Sequence, residues 1–201
     1  MDEQALVKDA LDGDLDAFNR LVLAYQDMAF NLAYRMLDDE DAAEDATQKA
    51  FISAYRGLKS FRGGSFRSWV LKMVTNACYD ELRLRKRRPT TPLEPELDDE
   101  EVESPRWLAD DGPSPEESAE RAELEEAIQA CLKELPEEFR AVLVLVDIEA
   151  LDYEQAAAIT GNPLGTVKSR LARARLKMRR CLDGYWELLP SIFRLDHEST
   201  Q

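Results

Sequence analysis

Apolar residues in the first third of the chain recur at intervals of three and four. Phe18, Leu21, Val22, Tyr25, Met28, Ala29, Leu32 and Met36 fall on one face of a helix. A second helix is expected from Asp41 to Arg56. Its acidic first turn suits the positive end of the dipole, and Gly57 is read as a left-handed stop. A third opens after Gly63-Gly64 with Ser65 as cap and aligns Phe66, Trp69, Val70, Met73 and Ala77. The period returns at Ser114-Pro115-Glu116-Glu117, a capping box with proline in the first turn. Leu124, Ile128, Cys131 and Leu135 continue that helix, and Pro136 opens the next, with Phe139, Val142, Leu143 and Val146 inward. Val142–Val146 is apolar enough to imitate a strand, but its length and flanks favour a helix. No credible alternating strand occurs, so the fold class expected is all-α.

The last two helices form a tighter unit. Asp152-Tyr153-Glu154-Gln155 is a capping signature for a short helix carrying Ala156, Ala157 and Ile159. Gly161-Asn162-Pro163 breaks it, and a longer helix runs on to about Arg180. Two helices joined by a short glycine turn predict a helix-turn-helix. At 100° per residue, Val167, Leu171, Ala174 and Met178 make one inward stripe. The outward face then shows Gly165, Thr166, Ser169, Ala172 and Arg173, flanked by Lys168, Arg170 and Arg175. Small, hydrogen-bonding and cationic groups in that place suit a major-groove recognition helix.

Six of the nine prolines fall between 89 and 115, in a stretch that also holds the run Asp98-Asp99-Glu100-Glu101. Proline, like charge and few core residues predict a linker rather than a packed element. The organisation expected is therefore two small helical domains, 1–88 and 114–182, joined by an acidic Pro-rich linker, 89–113, and followed by a tail, 183–201. The 25 linker residues would reach about 80–90 Å extended but about 25–30 Å as a coil.

Charge changes this picture. The 201 residues carry a net −15, which taken whole argues against a nucleic-acid partner. Divided along the chain, residues 1–60 carry −7, 61–90 +6, 91–126 −13, 127–160 −5, 161–185 +6 and 186–201 −2. Two basic islands stand in an acidic chain. In the second, Lys168 to Arg180 holds seven cations and no carboxylate, whereas a merely solvated face mixes the signs. In the first, Lys72, Asn76, Tyr79, Arg83 and Lys86 repeat at four, three, four and three and lead into Arg85-Lys86-Arg87-Arg88. Cations there would hold phosphates, while Asn76 and Tyr79 could bond or stack on a base. The loop Phe61-Arg62-Gly63-Gly64-Ser65-Phe66 could approach an unpaired base, although Phe66 and Trp69 read better as core.

Other classes lose their footing. No run of about 18 apolar residues marks a membrane span, and the acidic start Met1-Asp2-Glu3-Gln4 is unlike a signal peptide. Cys78, Cys131 and Cys181 are odd in number and far apart, which suits a reducing cytoplasm. Without a Cys-x-x-Cys pair, and with His197 as the sole histidine, no metal site and no cofactor is expected. No catalytic motif is present, and Asp80 and Glu81, adjacent on a helix, point about 100° apart with no third ligand. The expectation is a binding protein, not an enzyme.

Three segments in register resemble one family. Ala43-Glu44-Asp45-Ala46-Thr47-Gln48-Lys49-Ala50-Phe51, with Ala54-Tyr55-Arg56-Gly57-Leu58 and Phe61-Arg62-Gly63, resembles the polymerase-binding helix of the extracytoplasmic function (ECF) sigma factors. Val74-Thr75-Asn76-Ala77 and the basic end resemble their segment that melts and reads the promoter −10 element. Leu135-Pro136-Glu137-Glu138, Tyr153-Glu154-Gln155-Ala156-Ala157 and Pro163-Leu164-Gly165-Thr166-Val167-Lys168-Ser169-Arg170-Leu171 resemble their −35-reading domain. The likeness covers about residues 4–88 and 115–182.

The resemblance implies an alternative sigma factor of bacterial core RNA polymerase, cytoplasmic, not membrane-inserted, and monomeric when free of partners. Asp45, Gln48 and Phe51 would dock on the clamp helices of the largest subunit, with Asp41 and Glu44 adding charge; a helix-dipole role accounts for those last two about equally well. Phe61 and Asn76 would flank a flipped-out −10 base, whose capture offsets the few kcal/mol of unstacking. Arg62, Arg67, Lys72, Arg83 and Lys86 would follow the backbone beside Tyr79. Lys168, Ser169 and Arg173 would read or approach the −35 element, with Thr166, Arg170 and Arg175 on phosphates. Ala172 stands where some relatives carry a bulkier group, so the −35 preference does not carry over. An anti-sigma factor is the implied regulator. The resemblance implies that polymerase threads the linker through a channel, with Arg106-Trp107-Leu108 as an anchor there or Trp107 tucked against a domain, whereas in the free chain the linker could lie on the basic islands. The apolar tail Tyr185–Phe193 would cover the last helix or dock a regulator. The rival reading is a dimeric helix-turn-helix regulator that works without polymerase.

Overall fold

The computed structural model describes residues 2–87 and 115–188, without the side chains of 115–120 and 186. The linker 89–113, with Asp98–Glu101 and Trp107, lies outside the described residues, as do Ser114 and the tail beyond 188. The described segments are helical throughout, and no strand occurs among them.

The N-terminal half contains α1 (Glu3–Leu11), α2 (Leu15–Leu37), α3 (Glu40–Gly57) and α4 (Phe66–Arg87). Aspartates start the first three: Asp2, Asp14 and Asp39 each accept backbone N–H bonds from the first turn. The periodicity of α2 places Phe18, Leu21, Ala29, Leu32 and Met36 in the core, with Val22, Tyr25 and Met28 half-buried at its edge. The helix α1, which sequence periodicity does not announce, adds Leu6, Val7 and Ala10 to that core.

Gly57 is not the left-handed stop expected. Its φ is −89°, and the chain passes into a 3-10 turn over Leu58–Ser60. A Cβ there would stand 3.6 Å from the Trp69 ring, an ordinary van der Waals contact, so neither backbone angle nor space demands glycine. Helix α4 is buried more broadly than its aromatic stripe suggested, with Phe66, Val70, Leu71, Val74, Thr75 and Cys78 all inaccessible. Helices α2 and α3 and, from the C-terminal half, α7 (Tyr153–Thr160) all pack against it.

That half contains α5 (Pro115–Lys133), α6 (Glu137–Leu143), α7 (Tyr153–Thr160) and α8 (Leu164–Leu182). Helix α6 runs on as a π-type turn over Val144–Ile148, so the strand-like Val142–Val146 is helical, and α8 passes into a 3-10 segment, Asp183–Leu188. Buried residues of both halves form one continuous cluster, in which Leu21, Leu32, Met36, Leu71, Leu132, Leu145 and Leu171 are fully enclosed. Each such side chain contributes about 1.5–3 kcal/mol.

Polar contacts close the seam between the halves. Arg140, 7% exposed, donates to the carbonyls of Met36 at 2.6 Å and Lys133 at 2.7 Å. One guanidinium thus satisfies the C-terminal ends of α2 and α5, where a positive charge also suits both dipoles. Gln129 donates to the carbonyl of Tyr34 and the carboxylate of Asp38, and Lys133 pairs with Asp38 at 2.6 Å. Burial pushes the Asp38 carboxyl up, but the hydrogen bonds from Lys133 and Gln129 outweigh it and hold the group below 3.8.

The cysteines differ from the sequence expectation. Cys131 on α5 and Cys181 on α8 are joined in a disulfide across 50 residues of chain, while Cys78 remains a buried thiol. Distance along the chain concealed a pair that the helical packing brings to 5.7 Å between Cα atoms.

Candidate nucleic-acid and polymerase interface

Local signals build the helix-turn-helix. Asp152 and Gln155 cap each other's backbone at the start of α7, Gly161 ends it at φ 66°, and Pro163 precedes α8. Val167, Leu171, Ala174 and Met178 point inward, as their spacing requires. Lys168, Ser169, Ala172 and Arg173 are exposed, while Thr166 and Arg170 are half-buried. Lys168 stands 5.8 Å over the Tyr153 ring, and the Ser169 hydroxyl donates to the Thr166 carbonyl, leaving its oxygen as an acceptor. Arg175 is engaged: Asp147 accepts two of its bonds, at 2.9 and 2.6 Å, and raises its pKa. Its placement on phosphate therefore needs that pair to open.

The N-terminal basic residues divide into two groups. Arg62, Lys72 and Asn76 are exposed and without a hydrogen-bond partner among the described residues. Arg83 is also exposed and pairs only with Asp80, one turn away. The other group faces the C-terminal half. Arg67 donates to the Glu149 carbonyl and carboxylate, both at 2.8 Å, and Lys86 pairs with Glu137 at 2.9 Å. Burial raises the pKa of Glu149, with Arg67 and Arg35 pulling the other way. Tyr79 is half-buried, and burial pushes its hydroxyl up to about 12, with Arg170, Glu138 and Glu137 nearby. The stripe Lys72–Lys86 is thus not uniformly outward, as its spacing had suggested.

The loop after α3 is left-handed at Gly63 (φ 87°) and Gly64 (φ 91°), with open space beside both. Phe61 packs edge-on against Phe66 and lies 5.3 Å from the Trp69 ring. Asn76 lies two turns beyond Trp69, about 10 Å along the axis, so Phe61 and Asn76 border one surface without being neighbours. The outer side of the loop and α1 enclose a cavity of about 260 Å³, lined by Glu3, Gln4, Val7, Lys8, Leu11 and Phe61.

On α3 the expected docking residues line two depressions that share Glu44. Asp41, Glu44 and Asp45 line an acidic cleft of about 520 Å³ with Asp39, Glu81 and Arg85. Gln48 lines a second groove with Val22, Gln26, Phe30 and Thr47. Phe51 does not project as a docking group: at 8% exposure it belongs to the core and floors that groove. The apolar groups that do project from α3 are Ile52 and Tyr55, which sequence reasoning did not single out. Their spacing from Gln48, four and seven residues, continues the Asp41–Gln48 face and was a readable signal.

Comparison with known proteins fits this layout. Residues 21–88 match the family Sigma-70 region 2, and residues 125–178 match Sigma-70, region 4. The RNA polymerase sigma-H factor of Pseudomonas aeruginosa is 38% identical over 181 residues, 90% of this chain and 93% of its own length. The chain belongs to the ECF sigma factors. The ECF RNA polymerase sigma-E factor of Escherichia coli K12 is 37% identical over 174 residues, 86% of this chain and 90% of that protein. Among solved structures, CnrH bound to the cytosolic domain of CnrY superposes with a TM-score of 0.64 at 26% identity, covering 90% of this sigma factor and 97% of CnrH. The sigma factor RpoE of Bartonella quintana, bound to the anti-sigma factor NepR, gives 0.63 at 25% identity, over 84% and 98% of the two chains. The protein is thus an alternative sigma factor, a transcription initiation factor for promoter DNA and RNA polymerase.

Proposed function

We infer that this sigma factor works by binding alone, in the bacterial cytoplasm. The N-terminal domain, residues 1–88, engages core polymerase and the −10 element, and the domain 114–182 reads the −35 element. The observation that carries this division is the exposed cationic face of α8, with Lys168 and Arg173 outward beside the Ser169 hydroxyl. Arg62, Lys72, Asn76 and Arg83 give the N-terminal domain a second face for nucleic acid, and Phe61 offers a stacking edge to an unpaired base. The acidic cleft of Asp41, Glu44 and Asp45, continued by Gln48 and Ile52, is the surface for the clamp helices of the polymerase. Because Glu149 and Glu137 hold Arg67 and Lys86, the halves must part before the −10 face is complete. The complexes of CnrH with CnrY and of RpoE with NepR support an anti-sigma factor as the regulator of this chain too.

Run-off transcription with purified core polymerase on a promoter library tests the reading. Initiation from a shared −35/−10 pair is the expected result. Folded chain that never initiates with active core, or that binds a palindrome as a dimer without polymerase, overturns it.

A further inference from the structure

Two cysteines on different helices of the C-terminal half meet beside the residues that join the halves. Cys131 lies on α5 between Gln129 and Lys133, the two residues that hold Tyr34 and Asp38 at the end of α2. Its partner Cys181 is in the last turn of α8, the recognition helix. The bridge therefore ties one turn of α5 to the DNA-reading helix on one side, while its flanking residues grip the N-terminal half on the other. Cys131 is 1% exposed, whereas Cys181 is only partly buried at the edge of the core. Cys78 is buried, and burial pushes its thiol up to about 12, so it remains protonated and unreactive. In a cytoplasmic protein a disulfide is ordinarily transient and regulatory rather than structural.

We propose that Cys131 and Cys181 are a reversible dithiol–disulfide site, oxidised by a peroxide, whose closure holds the C-terminal half on the N-terminal half. The Cys181 sulfur attacks the peroxide O–O bond, giving a sulfenic acid and one water. The Cys131 sulfur then displaces the hydroxyl from that sulfur; the S–S bond forms, the S–O bond breaks, and a second water leaves with the remaining thiol proton. Two electrons pass from the thiols to the peroxide. A dithiol reductant reverses the change by exchange, restoring both thiols as it becomes a disulfide. Oxidation lowers the freedom of the α5 turn that grips Tyr34 and Asp38, so it favours the closed form in which Glu149 and Glu137 hold Arg67 and Lys86. The inhibitory consequence rests on the sigma-factor reading above; the redox chemistry does not.

The test uses the full chain, reduced with dithiothreitol or treated with hydrogen peroxide. After peroxide, peptide mapping without reductant should show Cys131 linked to Cys181, and alkylation in denaturant should fall from three thiols to one. Hydrogen exchange should slow at the end of α2 and along α5. Affinity for core polymerase should fall about fivefold and return with dithiothreitol. Cys181→Ser, at a partly exposed position, should bind core like the reduced chain whether or not peroxide is added; Cys131→Ala, checked for folding by circular dichroism, repeats the control. Absence of the linked peptide overturns the site. A linked chain with unchanged exchange and affinity overturns the clamp, as does an equal peroxide effect in Cys181→Ser. If the reduced chain does not bind core at all, the sigma-factor reading falls, while the peptide map and exchange still decide the redox site.

Discussion

The two basic segments carry the same net charge, +6 each, yet they present it differently. On α4, Arg67, Arg83, Arg85 and Lys86 are all in ion pairs, and two of these reach carboxylates of the other half, Glu149 and Glu137. On α8, Arg175 is the cation paired among the described residues; Lys168 leans on Tyr153, and Arg173, Lys177, Arg179 and Arg180 stand exposed. Charge counted along a sequence measures how much cation is made, while the fold decides how much is available. In the free chain the cationic face of α8 is open, while part of the cationic face of α4 is held in ion pairs with the other half. Breaking the seam should therefore change the N-terminal face most, and stripping cations should change the C-terminal face most.

The largest effect is expected at the bolt of the seam. Arg140→Ala leaves the carbonyls of Met36 and Lys133 without their donor and removes a buried charge from two helix ends. The loss should be about 3 kcal/mol of stability, measured by urea unfolding. A loss below about 1 kcal/mol would mean that water replaces the guanidinium and that the seam is held by apolar packing alone.

Next in size, Lys168→Ala with Arg173→Ala should weaken −35 duplex binding by the free chain by about tenfold or more, read by fluorescence anisotropy at low salt. Lys72→Ala with Arg83→Ala should change it less than about twofold, and should act instead in the polymerase complex on open-promoter formation. Equal losses from both pairs in the free chain would erase the contrast between the faces.

How far the sequence carries depends on the range of each interaction. The helix-turn-helix was legible because its determinants are local: Asp152 with Gln155, Gly161 at the turn, and the stripe from Val167 to Met178. The exposed Lys168 and Arg173 follow from the same stripe. The ion pairs of Arg67, Lys86 and Arg175 were not legible, because Glu149, Glu137 and Asp147 lie far from them along the chain. No periodicity encodes such a pairing. Phe51 was placed outward by family likeness although its spacing from Ala43, Ala46, Ala50 and Ala54 marks it as core. The disulfide follows from α5 packing on α8, and the burial of Arg140 from the seam, and nothing local announces either.

A smaller effect is expected from loosening the seam without unbolting it. Glu149→Gln removes the charge that holds Arg67, whose side chain is 35% exposed and can swing out. Binding of the free chain to single-stranded −10 DNA should rise about three- to fivefold, a gain kept modest by solvent screening of the pair. An unchanged affinity would mean that Arg67 remains held by the Glu149 carbonyl and that the carboxylate does not gate the face.

The smallest effects should appear as two limbs of opposite sign in the pH profile of stability. Glu149 is raised above 4.5 in the folded chain, so folding is increasingly favoured as pH falls through its folded value and the buried carboxylate takes up a proton. Asp38 is held below 3.8, so its contribution is complete above that value and is lost as pH falls through its folded value. Subtracting the profile of Glu149→Gln from the parent should isolate a rise with falling pH that begins above 4.5, and subtracting that of Asp38→Asn should isolate a decline confined below 3.8. The first limb belongs to the acid that holds Arg67, and the second to the acid at the end of α2 that grips α5. If both differences had the same sign, the two ends of the seam would titrate as one unit. Arg67 could then not be released by loosening Glu149 alone, because release at one end would require release at the other.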